Sequence, residues 1–159
     1  MLELKTIVDI LKENFGDAVL EGSTFRGQDI IKVSRPMLLD IAKKLREDDR
    51  LSFEMLTDLT AVDFMGEDER FELVLNLYSF KNNKRLRIKT RVPEGESVAT
   101  VEGVWKAANW LEREVYDLFG IVFDGHSDLR RILLWDGYVG HPLRKDFPLG
   151  GIPQKAVYR

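Results

Sequence analysis

Three consecutive stretches in the middle of the chain are written for a sheet. In residues 71–78, Phe71, Leu73, Leu75 and Leu77 alternate with Glu72, Val74, Asn76 and Tyr78. In residues 85–92, Leu86, Ile88 and Val92 alternate with Arg85, Arg87, Lys89 and Arg91. A period of two marks a strand with one buried face. Residues 53–64, rich in threonine and apolar side chains, read as a third strand. The joints at 65–70 and 81–84 are short and polar. They leave no room for a crossover helix, so the spacing predicts an antiparallel meander. Its single apolar face demands a cover.

Helices supply that cover. Leu4, Ile7, Val8, Leu11 and Phe15 recur at helical spacing over 4–15, and Gly16 stops the run. Residues 18–24 and 29–34 read as two short strands around a turn at 26–28. Pro36 suits the first turn of a second helix, whose buried stripe is Leu38, Leu39, Ile41, Ala42 and Leu45. A third helix is predicted over 101–119, with Thr100 as its cap and Gly120 at its stop. Val104, Ala107, Ala108, Leu111, Val115, Leu118 and Phe119 share one of its faces, with Arg113 pointing away. After a short strand at 121–123 the chain turns irregular. The fold class is therefore α+β: a mainly antiparallel sheet with helices on one face and an extended irregular C-terminal segment. Residues 1–120 form the α+β core, and 121–159 a docking segment of the same single domain.

Composition narrows the function. The chain has 159 residues, enough for a core without staples, and no cysteine. That removes disulfides, thiolate nucleophiles and cysteine-held clusters. A net charge of −3 disfavours a general nucleic-acid or membrane-surface binder. No apolar run is long enough to span a bilayer, so a membrane link is expected only through partners. No glycine-rich phosphate loop occurs.

Several clusters carry candidate chemistry. Glu112, Glu114 and Asp117 crowd one helix, but Glu112 and Glu114 lie about 160° apart on its wheel and share no ligand. They are better placed to receive hydrogen bonds or arginines, and Arg130 and Arg131 follow close behind. His126 and His141 lack a metal-ligand spacing. No nucleophile elbow accompanies them, although His141 and Asp146 leave a hydrolase as an alternative. The basic strand 84–91 offers an anion-binding alternative, without the interleaved aromatics of a single-strand platform. GHPLRKDFPLGG (140–151) holds His141, Pro142, Arg144, Lys145, Asp146, Phe147 and Pro148 in irregular backbone. Ordering each such residue costs roughly 1–2 kcal/mol, so the stretch reads as a docking strap rather than a catalytic loop.

Residues 108–134, ANWLEREVYDLFGIVFDGHSDLRRILL, resemble the signature of the 30 kDa subunit family of respiratory complex I. Glu112, Arg113, Glu114, Asp117, Leu118 and Phe119 match it, followed by His126, Arg130, Ile132 and Leu133. DLTAVDF, RFELVLNLYSF and GHPLRKDFPL are similar to further family segments. The resemblance implies a non-catalytic subunit of the peripheral arm of an NADH:quinone oxidoreductase, without flavin or cluster of its own. FMN and iron–sulfur clusters are then expected in partner subunits. It implies docking on the quinone-site subunit and on iron–sulfur subunits, at the cytoplasmic face of the membrane. An equivalent subunit of a membrane-bound hydrogenase or other complex I-like reductase shares these features.

Overall fold

The computed structural model describes residues 2–153, so the last six residues of the segment 121–159 lie outside the described residues. The element order is α1 (Leu4–Phe15), β1 (Val19–Phe25), β2 (Gln28–Val33), α2 (Leu38–Glu47), β3 (Met55–Asp63), β4 (Phe71–Ser79), β5 (Lys84–Val92), β6 (Ser97–Ala99), α3 (Ala108–Phe119) and β7 (Val122–Asp124). Short 3-10 turns precede β1 and α2.

The predicted meander forms: β3, β4 and β5 pair antiparallel, with Leu75 opposite both Leu59 and Ile88. The hairpin β1–β2 turns through Arg26 and Gly27, both at positive φ (50° and 76°), which matches the twist of a two-residue hairpin. That hairpin joins the edge of β5 in parallel, giving the sheet order β1-β2-β5-β4-β3. The chain reaches this parallel pairing by way of α2 and the meander. The α+β class and the antiparallel character hold, with this one parallel seam added.

One apolar cluster joins the three helices to a single sheet face. Ile7, Ile10 and Leu11 of α1, Leu38, Ile41 and Leu45 of α2, and Ala108, Val115 and Phe119 of α3 meet Ile31, Leu73, Leu75, Leu77, Leu86 and Ile88. Each large apolar side chain, fully buried, contributes roughly 1.5–3 kcal/mol of transfer free energy.

The third helix starts later than its sequence periodicity predicts. Residues 101–107 fold as successive turns, with Val104 and Trp105 N–H both donating to Val101 O. Two anchors hold them out of the helix. Trp105 is buried and its Nε1 donates to Phe53 O at 3.0 Å. The Glu112 carboxylate, one turn into α3, accepts the Val101 N–H at 2.8 Å. Thr100 accordingly does not cap α3; its hydroxyl donates to Glu112 and accepts from Glu102 N–H. A strand without an alternating signature, β6, pairs in parallel with β7, which carries the chain past the end of α3.

Candidate functional site: the tail dock on helix α3

Beyond β7 the chain has no helix or strand among the described residues, yet donors and acceptors of its own domain hold it throughout. Asp117 is the hub. It is fully buried, and its Oδ2 accepts three consecutive backbone N–H groups, from Ile132, Leu133 and Leu134, at 2.8–3.0 Å. Its Oδ1 takes Arg131 Nη1 at 2.7 Å. Arg131 then crosses the tail to Tyr138 O and Gly140 O, each at 3.0 Å. Burial works to raise the Asp117 pKa, but the Leu134 N–H, the Arg131 guanidinium and the other two N–H groups outweigh it. The carboxyl sits below its ordinary range and is ionised at neutral pH.

Arg113, one helical turn before Asp117, works beside it. The wheel points Arg113 away from the core stripe, yet the side chain is buried because the tail covers it. Nε and Nη2 donate to Arg130 O and Arg131 O at 3.2 and 3.0 Å. Glu114, on the third side, is solvent-exposed and takes no part. Arg130 itself points outward and pairs with Asp128.

The last carbonyls of α3 would be orphaned in any isolated helix. Here the tail supplies their donors. His141 Nδ1 meets Asp117 O at 2.9 Å, Leu143 N–H meets Leu118 O at 3.1 Å, and Arg144 Nε meets Phe119 O at 2.6 Å. This contact puts the ring proton of His141 on Nδ1. Burial, with Arg131 and Arg144 nearby, lowers the His141 pKa and favours the neutral ring. Gly120 makes the approach feasible. It has φ +78°, and a Cβ there would stand 2.7 Å from the His141 ring and 2.8 Å from the Arg144 guanidinium.

A second anchor lies at the mouth of the β3–β4 hairpin. Arg70 is buried and forms a bidentate pair with Asp63 at 2.9 and 2.8 Å. It also donates to Glu94 and to both oxygens of Asp146. The Arg70 contact holds the Asp63 carboxyl below its ordinary pKa, and does the same for Asp146. Lys145 contributes its backbone N–H to Asp63 Oδ2 at 2.8 Å, while its side chain stays in solvent. Arg144 reaches Glu94 at 2.9 Å. The guanidinium groups of Arg70 and Arg144 both stack on the Phe71 ring, at 5.1 and 5.2 Å. Phe147 stacks on Tyr138, and Pro142 and Pro148 sit in the adjoining turns.

This geometry binds most of the charges of 140–151 within the domain itself. His141, Arg144 and Asp146 bind their own domain. It also leaves no hydrolytic pair: the hydrogen bonds of His141 and Asp146 go to Asp117 and Arg70. The basic strand offers no open phosphate track along most of its length. Lys84, Lys89 and Arg91 are each matched by a carboxylate, Asp29, Glu72 and Glu67.

A third cluster lies at the opposite end of α3. Glu112 is fully buried, with His126 Nε2 at 3.9 Å from its carboxylate. The Asp128 N–H donates to His126 Nδ1, so the ring proton sits on Nε2 and is donated to Asn109 O at 2.9 Å. Burial pushes the Glu112 pKa up to about 7, partly opposed by Thr100 and the Val101 N–H. Folding thus favours the protonated acid. Its stabilisation is fully present below the ordinary value of 4.5 and is lost as pH rises through about 7. Glu112→Gln mimics the protonated form. Subtracting its pH–stability curve from the wild-type curve should leave a decline on the order of 2–3 kcal/mol between these values. A flat difference in urea unfolding would show that Glu112 titrates alike in the folded and unfolded states.

Sequence reasoning misses Asp63, Arg70 and Glu94. One signal points to the first two: Asp63 and Arg70 flank a short hairpin joint, so an antiparallel pairing must bring them together.

The site is a tail folded onto the end of one helix of an α+β domain, with Arg131, His141, Arg144 and Asp146 bound inward. Residues 31–153 match the family described as the respiratory-chain NADH dehydrogenase 30 kDa subunit. A relative in Geotalea uraniireducens, the C subunit of NADH-quinone oxidoreductase, is 49% identical over 160 residues, covering all of this chain and 96% of its own. The protein of the same name in Geobacter metallireducens is 50% identical over 161 residues, covering 100% and 98%. A solved chain from a membrane-bound sulfane sulfur reductase, an archaeal respiratory membrane complex, superposes with a TM-score of 0.76 at 26% identity. That match covers 91% of this chain and 85% of the other. The chain belongs to the 30 kDa subunit family of respiratory-chain NADH dehydrogenase.

Proposed function

We propose that the chain is the 30 kDa-type subunit of a complex I-type NADH:quinone oxidoreductase and acts there as a non-catalytic scaffold of the peripheral arm. Its partners are the quinone-site subunit and iron–sulfur subunits, which with the FMN-bearing subunit carry the redox groups. It is held at the cytoplasmic face of the membrane through those partners; among the described residues no helix is long and apolar enough to cross a bilayer. The supporting observation is the asymmetry of the tail. Arg131, His141, Arg144 and Asp146 bind inward, while Leu133, Trp135 and Leu143 stand 62%, 46% and 52% exposed. Apolar side chains held outward on a pinned backbone suit a preorganised docking surface. The equivalent subunit of another complex I-like reductase is the second reading, favoured by the likeness to the archaeal respiratory chain.

The test is a mild-detergent purification of the tagged full-length chain from membranes, with quantitative mass spectrometry. Co-recovery of NADH- and flavin-binding subunits supports the first reading, and of a different donor module the second. The variant L133D/L143D should lower subunit recovery at least tenfold without shifting the unfolding midpoint. Unchanged recovery would remove the tail from the interface.

A further inference from the structure

The sheet face opposite the helices changes character along the strands. Toward the β3–β4 hairpin its cations have carboxylates: Lys32 with Glu21 at 2.7 Å, Lys89 with Glu72 at 2.6 Å, Arg91 with Glu67 at 2.5 Å. At the other end the matching stops. Register places Ser23, Ile30, Arg87, Asn76 and Asp58 in one row across the five strands. Two residues further along β5, Arg85 stands opposite Tyr78 and Tyr78 opposite Met55, while Phe25 stands opposite Gln28 on the hairpin. Arg85 is exposed and has no carboxylate partner among the described residues. Arg87 donates to the neutral Asn76 Oδ1 at 2.9 Å. Between them opens a groove of about 300 Å³, in which Asp58 is the one carboxylate among the described lining residues. Its rim is apolar: Phe25 is 64% exposed, Met55 44% and Phe80 64%. Arg26 adds a third cation, stacked 5.4 Å above the Phe25 ring.

Two arginines two residues apart on one strand face stand about 7 Å from each other. On an acidic chain that elsewhere answers its sheet cations with carboxylates, this local excess calls for outside anions. Arginine beside aromatic side chains is also the composition of an interface centre. We propose that this end of the open face docks an acidic segment of a partner protein. Carboxylates of that segment bridge Arg85 and Arg87, and an apolar side chain of it packs on Phe25 or on Met55 and Phe80. The inference rests on the chain working within an assembly, but its surface is separate from the tail dock. Arg70 and the tail lie beside Phe71, toward the opposite end of β4, about 17 Å from the Asn76 row and about 24 Å from the Tyr78 row. A nucleic acid fits less well, since three cations beside Asp58 make no phosphate track.

The test places the photo-crosslinker p-benzoylphenylalanine at Met55 of the full-length chain in its native complex, with a second probe at Trp135 on the tail. The expected Met55 product joins a segment bearing at least two Asp or Glu residues. R85E/R87E should reduce it at least tenfold while leaving the Trp135 product intact, and changing those partner carboxylates to Lys should restore it. If charge reversal lowers the unfolding midpoint, Arg85→Gln with Arg87→Gln gives the same reading at constant fold. No product, a product with a second copy of this chain or with nucleic acid, or insensitivity to both variants overturns the proposal. Loss confined to the Trp135 probe would instead count against the tail reading.

Discussion

Asp117→Ala should release the tail from residue 130 onward and cost about 3–5 kcal/mol of stability. The size follows from what the deletion strands. Three backbone N–H groups and the Arg131 guanidinium lose the acceptor they share in a fully buried site. Released Arg131 also lets go of Tyr138 O and Gly140 O, so the loss spreads to the approach of His141. Asp117→Asn keeps an acceptor but removes the charge, and should cost less, about 1.5–3 kcal/mol. Urea unfolding measures both. Limited proteolysis reports where the change is: cleavage within 130–150 should accelerate in Asp117→Ala while the sheet stays protected. An unchanged midpoint with an uncut tail would mean that the dock is held by its other contacts alone.

Arg70→Met should be comparably damaging, for the opposite reason. It removes the cation and leaves carboxylates behind. Asp63 is nearly inaccessible and would keep only the Lys145 N–H, while Asp146 would lose its contact with the hairpin mouth. Breaking one side of a buried pair costs about 3–5 kcal/mol. The sign with pH is set by the carboxyls. Both Asp63 and Asp146 are held below their ordinary value of 3.8, so their stabilisation is present above it and is lost as pH falls. Wild type and Arg70→Met should therefore converge in strongly acidic solution. The double variant Asp63→Asn with Arg70→Met should recover part of the loss at neutral pH. A constant gap across the acid range in chemical denaturation would place the cost in lost packing on Phe71 instead of in charge.

The two anchors show why the dock is only half readable in sequence. The helical wheel and the chain order point to a carboxylate among Glu112, Glu114 and Asp117 meeting Arg130 or Arg131 on the returning chain, and the fold selects Asp117 and Arg131. They do not place Arg113, because a wheel knows the core stripe of a helix and not what later lies across its other side. Arg144 and Asp146 look like free grips, since nothing local to 140–151 says that Glu94 and Arg70 wait beneath. The start of α3 fails for a similar reason. Residues 101–107 have helical spacing, but Trp105 and Val101 find partners outside a helix, in Phe53 O and Glu112.

The sequence alone determined whatever depends on short-range periodicity. The alternation of 71–78 and 85–92 with short joints settled the meander, and the stripe at 4–15 settled α1 to the residue. The absence of cysteine closed off thiolate chemistry in this chain. Tertiary structure decided the rest: the parallel seam of β2 on β5, the pairing of β6 with β7, and the direction in which the tail's charges face. Those are contacts between residues far apart in the chain, where burial and partner geometry outweigh local preference. An arginine in a tail reads the same whether it will meet solvent, a partner or its own domain, until the fold brings the acceptor to it.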